Sequence, residues 1–134
     1  MKTVLVSLIR PQLLSPTRAA NFSSLSCKFV VIRENDTLSM IIGDVETYPY
    51  HAGLIAQFCH EHAIKSRWIK KPDVIKIYDQ DVAIRGGGWA EIIPGTKSCK
   101  IYGRSNAYGT FDRTDVGAVL AGQTLFAGYK VTVE

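Results

Sequence analysis

The chain has little cysteine: three residues in 134, at Cys27, Cys59 and Cys99, with no Cys-x-x-Cys pair among them. An odd, widely spaced set offers neither a disulfide framework nor a zinc-ligand pattern, so buried thiols in a reduced, cytoplasmic protein are expected. Long apolar runs are also missing. The longest spans a few residues, far short of the roughly 20 that a helix needs to cross a bilayer, so no membrane partner is expected. Acid is absent from the first 33 residues, which carry Lys2, Arg10, Arg18, Lys28 and Arg33. Residues 34–134 hold 11 basic and 12 acidic side chains, so the formal charge of +4 arises in the N-terminal segment and the body is nearly neutral. A neutral body lacks the electrostatic footprint of a nucleic-acid binder, and any anion must be held locally.

What is present reads as one globular domain. At this length about two-thirds of the unfolded surface can be buried, enough for a core without covalent or metal staples. Hydrophobic residues at 46% and charged residues at 21% exclude a disordered or fibrous chain. Met1-Lys2 and Thr3–Ile9 imitate the start of a secretory signal, but Arg10-Pro11 interrupts it. Ser15-Pro16 and Asn21 mark breaks. Residues 1–26 are therefore expected to be an N-terminal extension, mobile or loosely docked, with a short strand at Thr3–Ile9. The domain is expected to occupy residues 27–134.

From Cys27 onward the pattern sharpens. Lys28-Phe29-Val30-Val31-Ile32-Arg33 has the β-branched and aromatic content of a buried strand. Glu34-Asn35-Asp36-Thr37 reads as a turn, and Leu38–Ile42 as the returning strand of a hairpin. Pro49 suits a first helical position, and Tyr50 to Ile64 follows a helical period with Ile55, Phe58, Cys59 and His62 on one stripe. One turn before Ile55 stands His51, at the open end of the packing face. Residues 65–72 read as a basic connection. Val74–Tyr78, Val82–Arg85, Trp89–Ile93, Lys100–Gly103 and Tyr129–Val133 read as strands. A second helix fits Thr114 to about Gln123, capped by Asp112 and weakened by Gly117 and Gly122. The expected class is α+β: a mixed β-sheet of about five to seven strands packed with two α-helices.

Several residue groups suggest chemistry. A histidine in a helix's first turn sits near the positive end of the dipole, which disfavours imidazolium and suits His51 to act as a base. His60 and His62 are two apart, so they point to different faces of a helix and do not form a chelating pair. Gly95-Thr96-Lys97-Ser98 imitates the end of a phosphate-binding loop, but Ala90 stands where the earlier glycine is required. Lys70-Lys71 beside Trp68 reads as a solvated loop. Tyr102-Gly103-Arg104-Ser105-Asn106-Ala107-Tyr108-Gly109 leaves a strand through small and polar residues, so its backbone N–H groups can converge on an anion. Ser105 would add a hydroxyl there, and Arg104 a guanidinium.

Together these pieces resemble the small phosphohistidine phosphatase and Janus/Ocnus family. The resemblance is carried, in order, by Lys28-Phe29-Val30-Val31-Ile32, by Tyr50-His51-Ala52, by Gly86-Gly87-Gly88, and by the run from Ile101 to Gly109. It implies removal of a phosphoryl group from phosphohistidine in a protein or peptide, with no cofactor and no metal. By position it makes His51 the general base that activates water and Lys28 a phosphoryl-holding cation. Ser105, Asn106 and Ala107 become the loop that grips the phosphate oxygens. Four features depart from the family pattern, one of them Gly53 in place of the acid that commonly follows His51-Ala52. Trp89 stands where arginine usually follows the triple glycine, Arg104 stands where an aromatic is usual, and residues 65–82 are longer than usual. Arg104 and Arg85 are the candidate replacement cations. The alternative expectation is a non-catalytic module that binds phosphorylated or other anionic peptides through the same loop.

Overall fold

A computed structural model describes residues 1–15, 24–121 and 123–134. The described residues form β1 (Lys2–Ser7), a 3-10 turn (Pro11–Leu14), β2 (Leu25–Glu34), β3 (Thr37–Asp44) and α1 (His51–Glu61). There follow β4 (Ser66–Lys70), β5 (Val74–Ile77), β6 (Val82–Ile93), β7 (Ser98–Tyr102), α2 (Arg113–Leu120) and β8 (Lys130–Val133). Six strands make one mixed sheet in the order β1-β3-β2-β6-β7-β8, and β4 and β5 pair as a separate hairpin. The fold is α+β, with two helices.

Alternation along β2 divides the core. Cys27, Phe29 and Val31 point to one face, where Met40, Ile42, Ile92 and Ile101 meet Val116 and Val119 of α2. Val30 and Ile32 point to the other, under Leu54, Ile55 and Phe58 of α1 and Ile75 of the hairpin. A strand buried on both faces reads as a continuous apolar run, which is why Phe29–Ile32 is so conspicuous. The three thiols are free and buried. Burial pushes Cys27 and Cys99 up to about 12, which makes them inert packing groups. Among the described residues no helix is long and apolar enough to cross a membrane.

Several elements differ from expectation. Residues 1–15 are docked on the domain, and the short strand expected at Thr3–Ile9 is present as β1, which pairs in parallel with β3, from Lys2 opposite Thr37 to Ser7 opposite Ile42. Ile9 and Leu13 enter the core, and the Arg10 guanidinium lies 3.1 Å from the fully buried Asp44 carboxylate. The breaks expected at Pro16 and Asn21 lie outside the described residues. The helix starts at His51 with Tyr50 as its N-cap, so Pro49 precedes it, and it ends at Glu61. His62 is the exposed C-cap, stacked 4.0 Å from Phe58 and 2.9 Å from Glu34. Residues 66–70 of the expected basic connection are strand β4. Val82–Ile93 is one strand that continues through the triple glycine, with a register shift against β2 between Ile84 and Gly87 and with β7 joining only from Trp89 onward. The second helix stops at Leu120; Asp112 does cap it, accepting from Thr114 N–H at 2.7 Å.

Candidate functional site

The site begins with register. Lys28 on β2 lies opposite Trp89 on β6, and Trp89 lies opposite Tyr102 on β7. Paired residues share a face, and Lys28 has the same parity as Val30 and Ile32, so both Lys28 and Trp89 stand on the α1 side. There the strands pass beneath the N-terminal end of α1. His51, the first residue of the helix, is 8% exposed and overhangs β6.

The triple glycine makes that approach possible. A Cβ at Gly87 would sit 2.7 Å from the Phe29 carbonyl oxygen, 3.1 Å from His51 Cδ2 and 3.3 Å from Ser105 Cβ. Gly87 is thus the floor on which His51 and Ser105 converge. Gly86 takes φ +106° as the strand passes the carbonyl of Thr110, a conformation that other residues rarely adopt.

The loop after β7 folds over the same floor. Ser105 and Gly109 exchange backbone hydrogen bonds of 3.1 and 2.9 Å, and Gly87 N–H donates to the Gly109 carbonyl at 3.2 Å. Ser105 Oγ accepts from the Tyr108 N–H at 3.2 Å, which closes the turn. The N–H groups of Asn106 and Ala107 at its tip have no acceptor among the described residues. Tyr108 ties the loop to the hairpin: its hydroxyl accepts from Ile75 N–H at 2.8 Å and donates to the Ile75 carbonyl at 2.9 Å.

All six residues expected at the site, Lys28, His51, Arg104, Ser105, Asn106 and Ala107, line one cavity of about 460 Å³. Tyr50, Asp73 and Trp89 complete its wall. Of these three, Asp73 had no sequence signal, because it lies between the residues read as a basic connection and the strand read at Val74–Tyr78. Arg85 is elsewhere; its guanidinium is paired with Asp115 at 2.8 Å. Arg104 is exposed and has no carboxylate partner among the described residues.

The electrostatics favour an anion next to an uncharged imidazole. His51 Nε2 lies 2.9 Å from the Gly88 carbonyl oxygen. A carbonyl only accepts, so Nε2 carries the hydrogen and the lone pair is on Nδ1. Nδ1 has no partner among the described residues, and it is not among the atoms sealed from solvent. Burial lowers the His51 pKa; the Gly88 bond opposes this, and the Lys28 charge lowers it further. Lys28 Nζ donates to the Pro49 carbonyl at 2.6 Å and lies 4.7 Å from the Trp89 ring centroid. Burial lowers its pKa too. The cavity therefore presents the His51 base, cations at its wall, unpaired amides beside a hydroxyl, and one carboxylate, Asp73, which lies 3.8 Å from Lys70. This is an anion-binding set with a proton acceptor inside it.

Among families of known proteins, the model described as Janus/Ocnus family (Ocnus) matches residues 20–130. No curated protein matches the chain.

Proposed function

The chain belongs to the Janus/Ocnus family, and from that premise we propose that it is a metal-independent phosphatase acting on phosphohistidine in a protein or peptide. The observation that carries the reading is the convergence over Gly87 of a neutral histidine, with Nδ1 open, and the Ser105 loop, with two unpaired amides. Phosphoryl transfer demands positioning and charge stabilisation more than covalent chemistry from the protein. The Asn106 and Ala107 amides and the Ser105 hydroxyl suit the phosphoryl oxygens. Lys28 and Arg104 supply compensating charge.

His51 takes the proton of the attacking water on Nδ1 while Nε2–H stays on the Gly88 carbonyl. That bond fixes both the tautomer and the ring orientation. As the water oxygen bonds to phosphorus, the P–N bond breaks and its electron pair stays on the ring nitrogen. A substrate imidazole protonated on its other nitrogen leaves as a neutral molecule, so no separate acid is needed. The donors that line the cavity are matched to an anion, and no step calls for a metal.

The test is phosphate release from a phosphohistidine peptide, with chelator present, by the wild-type protein and by His51→Ala. Chelator-insensitive turnover that falls at least a hundredfold in the variant is expected. Undiminished turnover in the variant refutes the mechanism. Tight phosphopeptide binding without phosphate release would favour a binding module on the same loop, a reading that Trp89 at the usual arginine position supports.

A further inference from the structure

The β4–β5 hairpin has an unusual outer face. Its inner face, with Trp68, Ile75 and Ile77, packs against the core under α1. The outer face places Arg67 directly opposite Lys76. Like charges directly opposed across a strand pair repel. The hairpin, closed by the Tyr78 N–H to Lys65 carbonyl bond of 2.8 Å, holds five cationic side chains and one acid between residues 65 and 78. The chain has 16 basic and 12 acidic residues in all, so the remainder holds eleven of each. Residues 34–134 carry a net charge of −1, yet the hairpin within them carries +4.

That charge is not neutralised locally. Lys70 lies 3.8 Å from Asp73, while Lys65, Arg67, Lys71 and Lys76 have no ion-pair partner among the described residues. Residues 16–23 contain no acid that could supply one. Between the cations Ile69 is 58% exposed. The hairpin also adjoins the cavity: Asp73, in its turn, is part of the cavity wall, and Tyr108 joins Ile75 to the Ser105 loop.

We propose that the outer face of the β4–β5 hairpin docks an acidic segment of the phosphorylated protein, next to the residue held in the cavity. The inference rests on the phosphatase reading for the identity of that residue. A polypeptide is favoured over a nucleic acid or a membrane because the cations flank an exposed isoleucine, and because residues 34–134 as a whole carry a net charge of only −1, without the general footprint of a polyanion binder. Arg67 and Lys76 each stand three residues from the nearer end of the turn, Lys70 or Asp73. At roughly 3.3 Å per residue this is a reach of about 10 Å, so the acids would lie about three to five positions from the phosphorylated residue.

The experiment compares two phosphohistidine peptides, one with Asp and Glu at those positions and one with Ser and Gln, using the full chain and the R67E/K76E variant. Free phosphoramidate is the substrate that does not reach the hairpin. Wild-type protein is expected to favour the acidic peptide about tenfold in kcat/KM, through KM, and to lose this preference in 0.5 M salt. R67E/K76E should lose the preference and keep phosphoramidate turnover. If that variant does not fold, R67Q/K76Q replaces it. Retained preference in a folded variant overturns the proposal, as does equal use of the two peptides by wild type. If wild type hydrolyses neither phosphoramidate nor peptide, the phosphatase reading fails, and docking is read from fluorescence anisotropy of the unphosphorylated acidic peptide. Binding lost in the variant then supports docking, and no binding overturns it. Tighter binding of a single-stranded oligonucleotide, or of phosphatidylserine vesicles, through the same two residues overturns it as well.

Discussion

Replacing Gly87 by alanine tests the site at its narrowest point. Its φ is not in the left-handed region, so the backbone accepts alanine and any effect must come from the added methyl group. That methyl would meet the Phe29 carbonyl oxygen at 2.7 Å, where ordinary contact begins near 3.4 Å. It would also meet His51 Cδ2 at 3.1 Å. Phe29 cannot yield cheaply, because it lies mid-strand between Ile42 of β3 and Gly88 of β6. The several tenths of an ångström must come from β6 and from His51, which are linked through the Gly88 carbonyl. Overpacking of this kind costs about 1–3 kcal/mol, or a fall in Tm of about 3–15 °C for a chain of this size. Displacement of the base from the loop should lower kcat on the order of 10- to 100-fold, since an ångström of misplacement costs about a hundredfold. Calorimetry and phosphate release from a phosphohistidine peptide read the two effects. Gly117→Ala is the control: nothing lies within 4 Å of its added Cβ, and in α2 it should stabilise by up to about 1 kcal/mol. A Gly87→Ala protein with wild-type Tm and turnover would refute the claim that this floor sets the geometry.

Two further predictions concern the base and the loop. His51 has a folded pKa below its unfolded value of about 6.5, so the unfolded chain binds the extra proton first. Its contribution to stability is complete above about pH 6.5 and is lost as pH falls through the folded pKa. Turnover should fall over the same acid range, and Lys28→Met, by removing a nearby positive charge, should move the imidazole titration seen by NMR to higher pH; an unmoved titration counts against the coupling. Tyr108→Phe removes both bonds to Ile75 and leaves a strand N–H and carbonyl without partners. The expected cost is about 1–3 kcal/mol, with weaker inorganic phosphate binding by calorimetry; unchanged affinity would show that the loop holds its shape without this anchor.

The parts of the site that could be read from sequence were those whose signal is local. Phe29–Ile32 is apolar on both faces, Tyr50-His51 stands at the head of a helical stripe, and residues 102–109 combine glycines with a hydroxyl and small side chains. What stayed hidden depended on partners distant in sequence. Three consecutive glycines look like an interruption, yet β6 passes through them, and distant residues fill the space where each side chain would stand: Thr110 and Phe111 at Gly86, Phe29, His51 and Ser105 at Gly87, and Tyr102, Phe111 and Phe29 at Gly88. Strand β4 hid behind its charges: its inward residues are Ser66 and Trp68, while the exposed Ile69 points outward, so alternation gave a weak and inverted signal. Strand β1 was expected as a short strand at Thr3–Ile9, but its parallel pairing with a neighbour some 35 residues away has no local signature.

Trp89 and Arg104 together bear on how charge is supplied to the cavity. A cation at position 89 would stand beside Lys28, its register partner, and two ammonium-like groups side by side repel until an anion arrives. An indole there does the reverse: Lys28 Nζ lies 4.7 Å from its ring centroid, so the aromatic face stabilises the remaining cation. The same ring carries the loop. A Cβ on Gly103 would come 3.0 Å from Trp89 Cδ1, and Gly103 takes φ +77° as it passes the indole. The next residue is Arg104, in the cavity wall and without an acidic partner among the described residues. Trp89 thus stands where a second cation would repel Lys28, and Arg104 lies in the cavity wall one residue beyond Gly103. Arg104 belongs to the same loop as the Ser105 hydroxyl and the Asn106 and Ala107 amides. Charge and hydrogen-bond donors would then move as a unit, held to the fold by Tyr108 and by the floor at Gly87.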